Sequence, residues 1–236
     1  MRGFVIFKFM RNRLRENLAD VQNRIERAAR KTGRNSGDVK LIAVSKTHSS
    51  ETLREAIAAG ALVFGENKIQ EAESKISEIG RATVEWHLIG HLQSNKARKA
   101  VKLFDLIHTL DSIELAERLE RICLEENRAA LSVLIQVDLA NEATKNGVEE
   151  KDLLPLVEFL NACKCLKFNG FMIIPPFYDD VEKVRPFFKR LREIRDKVLP
   201  NGELSMGMSH DFEIAVEEGA TLVRVGTAIF GARENL

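Results

Sequence analysis

The sequence predicts an α/β chain folded as a single (β/α)8 barrel of the TIM type, preceded by one extra N-terminal helix. Three observations predict it. Short apolar or β-branched runs recur eight times, separated by charged segments with apolar residues at helical spacing. Eight such units make a closed parallel barrel, which typically takes about 250 residues; this chain has 236. The segments Ala56–Gly65 and Ala215–Arg224 also echo each other, each a helix end, a glycine stop and a strand. Finally, the last two predicted strands end in Ser205-Met-Gly-Met-Ser209-His-Asp211 and Arg224-Val-Gly226-Thr227. The loops after strands 7 and 8 are where such barrels carry phosphate sites.

Taken in chain order, the first helix is expected over about Arg11 to Lys31. Leu14, Leu18, Val21, Ile25 and Ala28 follow a 4-3-4-3 spacing, one apolar stripe suited to packing on the barrel wall, with a dimer interface as the alternative. Met1 to Phe9 read as an extension outside the core, with Met10 expected as the natural start; a mature N-terminus at Met1 would reject that expectation. Strands are expected at Lys40–Ser45, Leu62–Gly65, Val84–Gly90, Leu106–Leu110, Leu131–Leu139, Leu166–Ile174, Glu203–Met208 and Thr221–Gly226. No stretch has linker or low-complexity composition, so residues 1–236 read as one domain.

Composition narrows the function classes. With 36 basic and 35 acidic residues the net charge is +1, which offers no field to attract nucleic acid or an anionic membrane. No apolar run approaches the roughly 18 residues that span a bilayer. Three cysteines, Cys123, Cys163 and Cys165, are an odd number that fits a reducing, cytoplasmic setting better than a disulfide framework. The Cys163–Cys165 spacing, without a companion pair, reads as small buried hydrophobes rather than a zinc site.

The residues that could carry chemistry sit at predicted strand ends. Alternation puts Ile42, Val44 and Lys46 on one face. If that face points inward, Lys46 reaches the top of the barrel, where partial desolvation lowers an amine's pKa toward the free base needed for Schiff-base chemistry. The plain alternative is a surface lysine after a strand. Arg224 alternates with Val223 and Val225 and is expected to point inward. A buried guanidinium needs an acceptor, either a carboxylate such as Glu66 or a ring nitrogen of a bound cofactor. Backbone N–H groups at the Ser209 and Gly226-Thr227 turns suit a phosphate dianion, with a helix expected to start at Ser209. Asn67 could add a polar group to the mouth, and Met172 could pack on a flat ring or fill core. His87 and His91 are spaced i, i+4 on a predicted strand, where they do not share a face, so hydrogen-bonded histidines are expected rather than a metal pair.

Together these strings resemble the pyridoxal phosphate homeostasis protein family, relatives of the barrel domain of alanine racemase. The matching residues are Ala43-Val-Ser-Lys46-Thr47, Phe64-Gly-Glu-Asn67, Trp86-His-Leu-Ile-Gly-His-Leu-Gln93, Gly170-Phe-Met172, Ser205–Asp211 and Val223–Gly231. The resemblance implies that Lys46 holds pyridoxal 5′-phosphate (PLP) as an internal aldimine. It implies that Ser209, Gly226 and Thr227 bind its phosphate, that Arg224 faces the ring nitrogen, and that Asn67 and Met172 line the ring. Lys145, in Glu142-Ala-Thr-Lys145-Asn-Gly147, is a secondary contact by the same resemblance. His48 departs from the family's basic residue after the Lys-Thr pair.

An arginine at the ring nitrogen is already protonated and cannot hand over a proton, which leaves the ring a poorer electron sink. Related racemases add a second base from a further β-domain and a partner subunit, and no such domain is expected here. The expected function is therefore buffering and delivery of PLP without strong catalysis. Expected partners are PLP itself, apo-PLP enzymes and free amino acids, and the expected state is a monomer or weak homodimer. A small PLP-dependent racemase or lyase is the second reading, and a class I aldolase on a sugar phosphate the third.

Overall fold

Two helices stop in the same way, and that stop sets the rhythm of the fold. Gly60 and Gly219 take φ of 106° and 102°, a left-handed conformation that L side chains rarely adopt. Each lets the following amide turn back on its helix: Ala61 donates to the Ala56 carbonyl at 2.9 Å and Ala220 to that of Ala215 at 2.8 Å. The chain then enters a strand, so the echo in the sequence is a repeated αβ joint. The computed structural model describes residues 2–140 and 146–231, with backbone alone for residues 2–11.

Eight strands form the barrel: β1 (Lys40–Val44), β2 (Val63–Glu66), β3 (Glu85–Leu88), β4 (Leu106–Leu110), β5 (Leu131–Asp138), β6 (Leu166–Met172), β7 (Glu203–Met208) and β8 (Leu222–Val225). All pair parallel with their sequence neighbours, β4 pairs with β5, and β8 returns to β1, so the ring is closed. The two-residue strand Val148–Glu149 pairs parallel beside the end of β5. The expected strands agree with these to within a few residues.

Each strand is followed by a helix: α2 (Ser50–Ala58), α3 (Ile69–Ile79), α4 (Ala97–Leu103), α5 (Ile113–Glu125), α6 (Leu153–Ala162), α7 (Arg185–Val198), α8 (Phe212–Glu217) and α9 (Thr227–Phe230). Before them runs α1 (Arg2–Lys31), which begins well ahead of the expected Arg11 because residues 2–10 contain no proline to stop it.

Alternation along each strand sorts its side chains between two cores. Ile42, Val63, Leu106, Leu134, Met172 and Leu222 fill the barrel interior. Ala43, Phe64, Trp86, Ile107, Val223 and Val225 join the larger core between strands and helices. Cys123 and Cys165 are buried in that outer core and Cys163 is half-buried beside it, so all three act as small hydrophobes.

The last two helices, of six and four residues, are too short to cover their strands. Helix α1 makes up the deficit. Its stripe of Leu14, Leu18, Val21, Ile25 and Ala28 is buried, Asn17 caps the Ile229 carbonyl at 2.8 Å, and Arg24 pairs with Glu213 at 2.8 Å while lying over the Phe212 ring. The stripe is barrel packing, not a free interface.

Placing a side chain at either joint should strain it without changing the fold. Gly60→Ala has open space for its Cβ, whereas at Gly219 the Arg192 side chain lies 3.2 Å away. Each is expected to lower stability by about 1–3 kcal/mol, with Gly219→Ala the worse, as read from urea unfolding midpoints.

Candidate functional site

The closing pair of the ring builds the site. Ile42 on β1 is in register with Arg224 on β8, and Ala43 with Val225. One step further, Gly226 backs directly onto Val44, where an added Cβ would sit 3.3 Å from the Val44 carbonyl oxygen. Lys46, two residues beyond β1 and half-buried, therefore stands at the same C-terminal rim as the Gly226–Thr227 turn. These strands are immediate neighbours in the ring. The Gly226–Thr227 cradle therefore lies beside Lys46 and not across the barrel from it, because strand 8 pairs with strand 1.

Ser209 completes the cradle from the preceding loop. Its hydroxyl accepts from the amides of Gly226 at 3.2 Å and Ala228 at 3.4 Å. Helix α8 does not start at Ser209; it starts at Phe212. The intervening turn is held by Asp211, whose Oδ1 accepts from the Met208 amide at 2.6 Å. Thr227 lies exposed at the mouth.

On the other side of the Lys46 turn sits a buried ionic cluster that the sequence did not suggest. Lys75 Nζ lies 2.7 Å from Glu66 Oε1, from Glu71 Oε1 and from the Ser45 carbonyl. Ser45 Oγ donates to the same Glu66 oxygen at 2.6 Å. Glu71 also accepts from the Thr47 amide, pinning that residue at φ 71° immediately after Lys46. Glu66 therefore points outward to Lys75, because Gly65 takes the inward position between Ile42 and Ile89. The expectation that Glu66 could neutralise Arg224 is overturned. Burial pushes the Glu66 carboxyl upward, opposed by Lys75 and Ser45.

Arg224 does point inward, and it is 3% exposed. It donates to Ser205 Oγ at 2.5 Å and to the Ile173 carbonyl at 2.8 Å. Burial lowers it to about 10, countered by Asp211, so the guanidinium stays charged at neutral pH. Behind Ser205 the polar contacts continue across the interior. Ser205 Oγ meets His108 Nδ1 at 2.8 Å, His108 Nε2 meets His87 Nδ1 at 3.0 Å, and His87 Nε2 meets Glu85 Oε1 at 2.7 Å. Lys40 reaches the other Glu85 oxygen at 3.0 Å.

Asn67 is half-buried at the rim, its backbone held so close to Gly90 that a Cβ there would lie 2.3 Å from the Asn67 carbonyl. Met172 is fully buried in the interior core. His87 and His91 part company: His87 is interior, while His91 is exposed 3.4 Å from Asp111. Among the described residues no His, Cys, Asp and Glu group of three or more could hold a metal ion. Lys145 lies outside the described residues. Sequence reasoning missed Lys75, Glu85 and His108. His108 alternates with Leu106 and so was legible as an inward polar residue; Lys75 carried no such signal, since a lysine on a helix ordinarily faces water.

Two outcomes are expected. Lys75→Met strands Glu66 without its cation and should cost about 3–5 kcal/mol, most of it recovered in Lys75→Met/Glu66→Gln, measured by chemical denaturation. His108 is pushed well below its ordinary 6.5 by burial, then by His87 and Arg224. Below that pH the unfolded chain takes up a proton that the folded chain refuses, so stability is full above it and falls on acidification. Urea midpoints between about pH 7.5 and 5.5 should drop less steeply in His108→Gln than in the parent.

The alanine racemase N-terminal domain family matches residues 16–234. The pyridoxal phosphate homeostasis protein of Aquifex aeolicus is 42% identical over 226 residues, covering 93% of this chain and 98% of that one. Its counterpart in Pseudomonas aeruginosa is 43% identical over 224 residues, covering 93% and 95%. Among solved structures, PipY of Synechococcus elongatus with PLP bound superposes with a TM-score of 0.79 at 40% identity, over 92% of this chain and all of that one.

Proposed function

The chain belongs to the alanine racemase N-terminal domain family, and within it to the pyridoxal phosphate homeostasis proteins, and on that footing we propose that it binds PLP and serves to buffer and deliver it. One observation carries the reading at residue level. The β1–β8 register sets an amine, an anion cradle and an inward guanidinium on adjoining strand ends.

The residues present fit the cofactor. Lys46 supplies the amine for the aldehyde of PLP. Ser209, Gly226 and Thr227 would take the phosphate, at the turn where the Ser209 hydroxyl gathers the Gly226 and Ala228 amides. Arg224 donates to the ring nitrogen, while Asn67 and Met172 bound the ring. When bound, PLP supplies a reactive aldehyde and an electron sink. The chain's own residues restrain the second of these, because a guanidinium donates a hydrogen bond to the ring and keeps its proton. Glu71 and Lys75 fix the turn after Lys46 and so hold that amine at the rim. Apo-PLP enzymes and free amino acids are the proposed recipients, in the cytoplasm, from a monomer or weak homodimer. Among the described residues no helix is long and apolar enough to cross a membrane.

Borohydride reduction after mixing with PLP, followed by peptide mass analysis, is expected to place a pyridoxyl adduct on Lys46. Lys46→Ala should lose both the adduct and the near-visible absorbance. An adduct confined to another lysine, or no uptake of PLP at all, overturns the reading. Enzymatic rates of α-proton exchange across a panel of amino acids would instead favour the racemase or lyase alternative.

A further inference from the structure

A buried cation ordinarily sits against a carboxylate, yet among the described residues no carboxylate lies within ion-pair distance of Arg224. Its acceptors are a serine hydroxyl and a backbone carbonyl. The nearest carboxylate on its hydrogen-bonded path is Glu85, reached through Ser205, His108 and His87, all three fully buried. That path runs from β8 to β7, crosses the interior to β4, and ends on β3 at the barrel floor. There Glu85 and Lys40 line a cavity of about 690 Å³ beneath the strands.

With one proton on each ring, the two ends dictate the polarity of everything between them. A guanidinium only donates and an ionised carboxylate only accepts. Glu85 is ionised, held at about 2, chiefly by its hydrogen bond from His87. His87 therefore carries its proton on Nε2 and presents a bare Nδ1 to His108. With one proton per ring, His108 carries its own on Nε2 and presents a bare Nδ1 to Ser205. The Ser205 hydroxyl donates to that nitrogen and keeps its lone pairs for Arg224. Every bond points the same way, from Arg224 toward Glu85. Aligned bonds of this kind polarise one another in a low-dielectric interior, so the Glu85 charge makes Ser205 a better acceptor at the far end. The charged groups facing the two rings are Lys40 from β1, Glu85 from β3 and Arg224 from β8, with Asp211 beyond the last.

We propose that Glu85, His87, His108 and Ser205 are positioning residues, a one-way hydrogen-bond relay from the barrel floor that orients Arg224 and sets how strongly it donates to the cofactor ring. The inference rests on the PLP reading for its consequence and on the apo protein alone for its existence. Ser205 and Ile173 hold two of the five guanidinium N–H groups, which fixes the plane of the group. The strength of its remaining donors then follows the charge on Glu85.

Nitrogen-15 NMR of the histidine side chains in the apo protein tests the relay directly. His87 and His108 are both expected as Nε2–H tautomers at about pH 8, with His108 staying neutral below its ordinary 6.5; an Nδ1–H tautomer on either ring overturns the proposal. With PLP added, Glu85→Gln keeps the shape and removes the charge. It is expected to weaken PLP binding by about three- to tenfold and to shift the absorption maximum, with the Lys46 adduct still forming. Glu73→Gln, which breaks a surface pair with Lys99, should do neither. Glu85→Gln binding and spectra identical to the parent would overturn the proposal even with the expected tautomers. If the parent takes up no PLP, the function proposed above fails, and the tautomers alone decide whether the relay exists.

Discussion

Ring closure by β1 and β8 is the constraint on which the rest of this structure depends. Parallel pairing of Lys40–Ala43 with Leu222–Val225 brings the first and last strands of the barrel side by side. Sequence separation of nearly the whole chain is converted into one hydrogen-bonded step. The short helices α8 and α9 then leave the seam thinly covered, and α1 is laid over it by its apolar stripe and by Asn17 and Arg24. The extra helix is thus part of the barrel wall at the place where the site is built.

Two buried cations flank that seam, and the fold treats them oppositely. Lys75 is neutralised at contact, with two carboxylates and a carbonyl at 2.7 Å. It serves to lock the backbone around Ser45 and Thr47, and through them the turn that presents Lys46. Arg224 is given neutral acceptors, and its nearest hydrogen-bonded carboxylate is kept at the other end of the barrel. A contact carboxylate would occupy the donors that a ligand needs, whereas a distant one leaves them available. Under the proposed reading as a PLP carrier that difference would matter: the cofactor would need firm anchorage at its phosphate and a ring held without strong activation.

Much of this was legible in the residues. Period-two alternation assigned Arg224 to the interior and Val223 and Val225 to the outer core, as found. The Ser209 and Gly226 turns were legible as glycine and hydroxyl residues at strand ends, and the two meet through the Ser209 hydroxyl. Glu66 misled because it follows a glycine at a strand end: Gly65 takes the inward slot, and the pleat turns Glu66 outward. Nothing local marks Lys75 as buried, since its partners lie on β2, on the β1 loop and one turn away on its own helix.

The chain by itself determined the strand and helix alternation, the joints at Gly60 and Gly219, and which residue types stand at the strand ends, because these follow from periodicity and backbone sterics within a few residues. Only the tertiary structure decided which of them meet. The Lys75 cluster and the path from Arg224 to Glu85 depend on strand register and on crossing the barrel interior, and both are set by closure of the whole ring, which no local segment encodes.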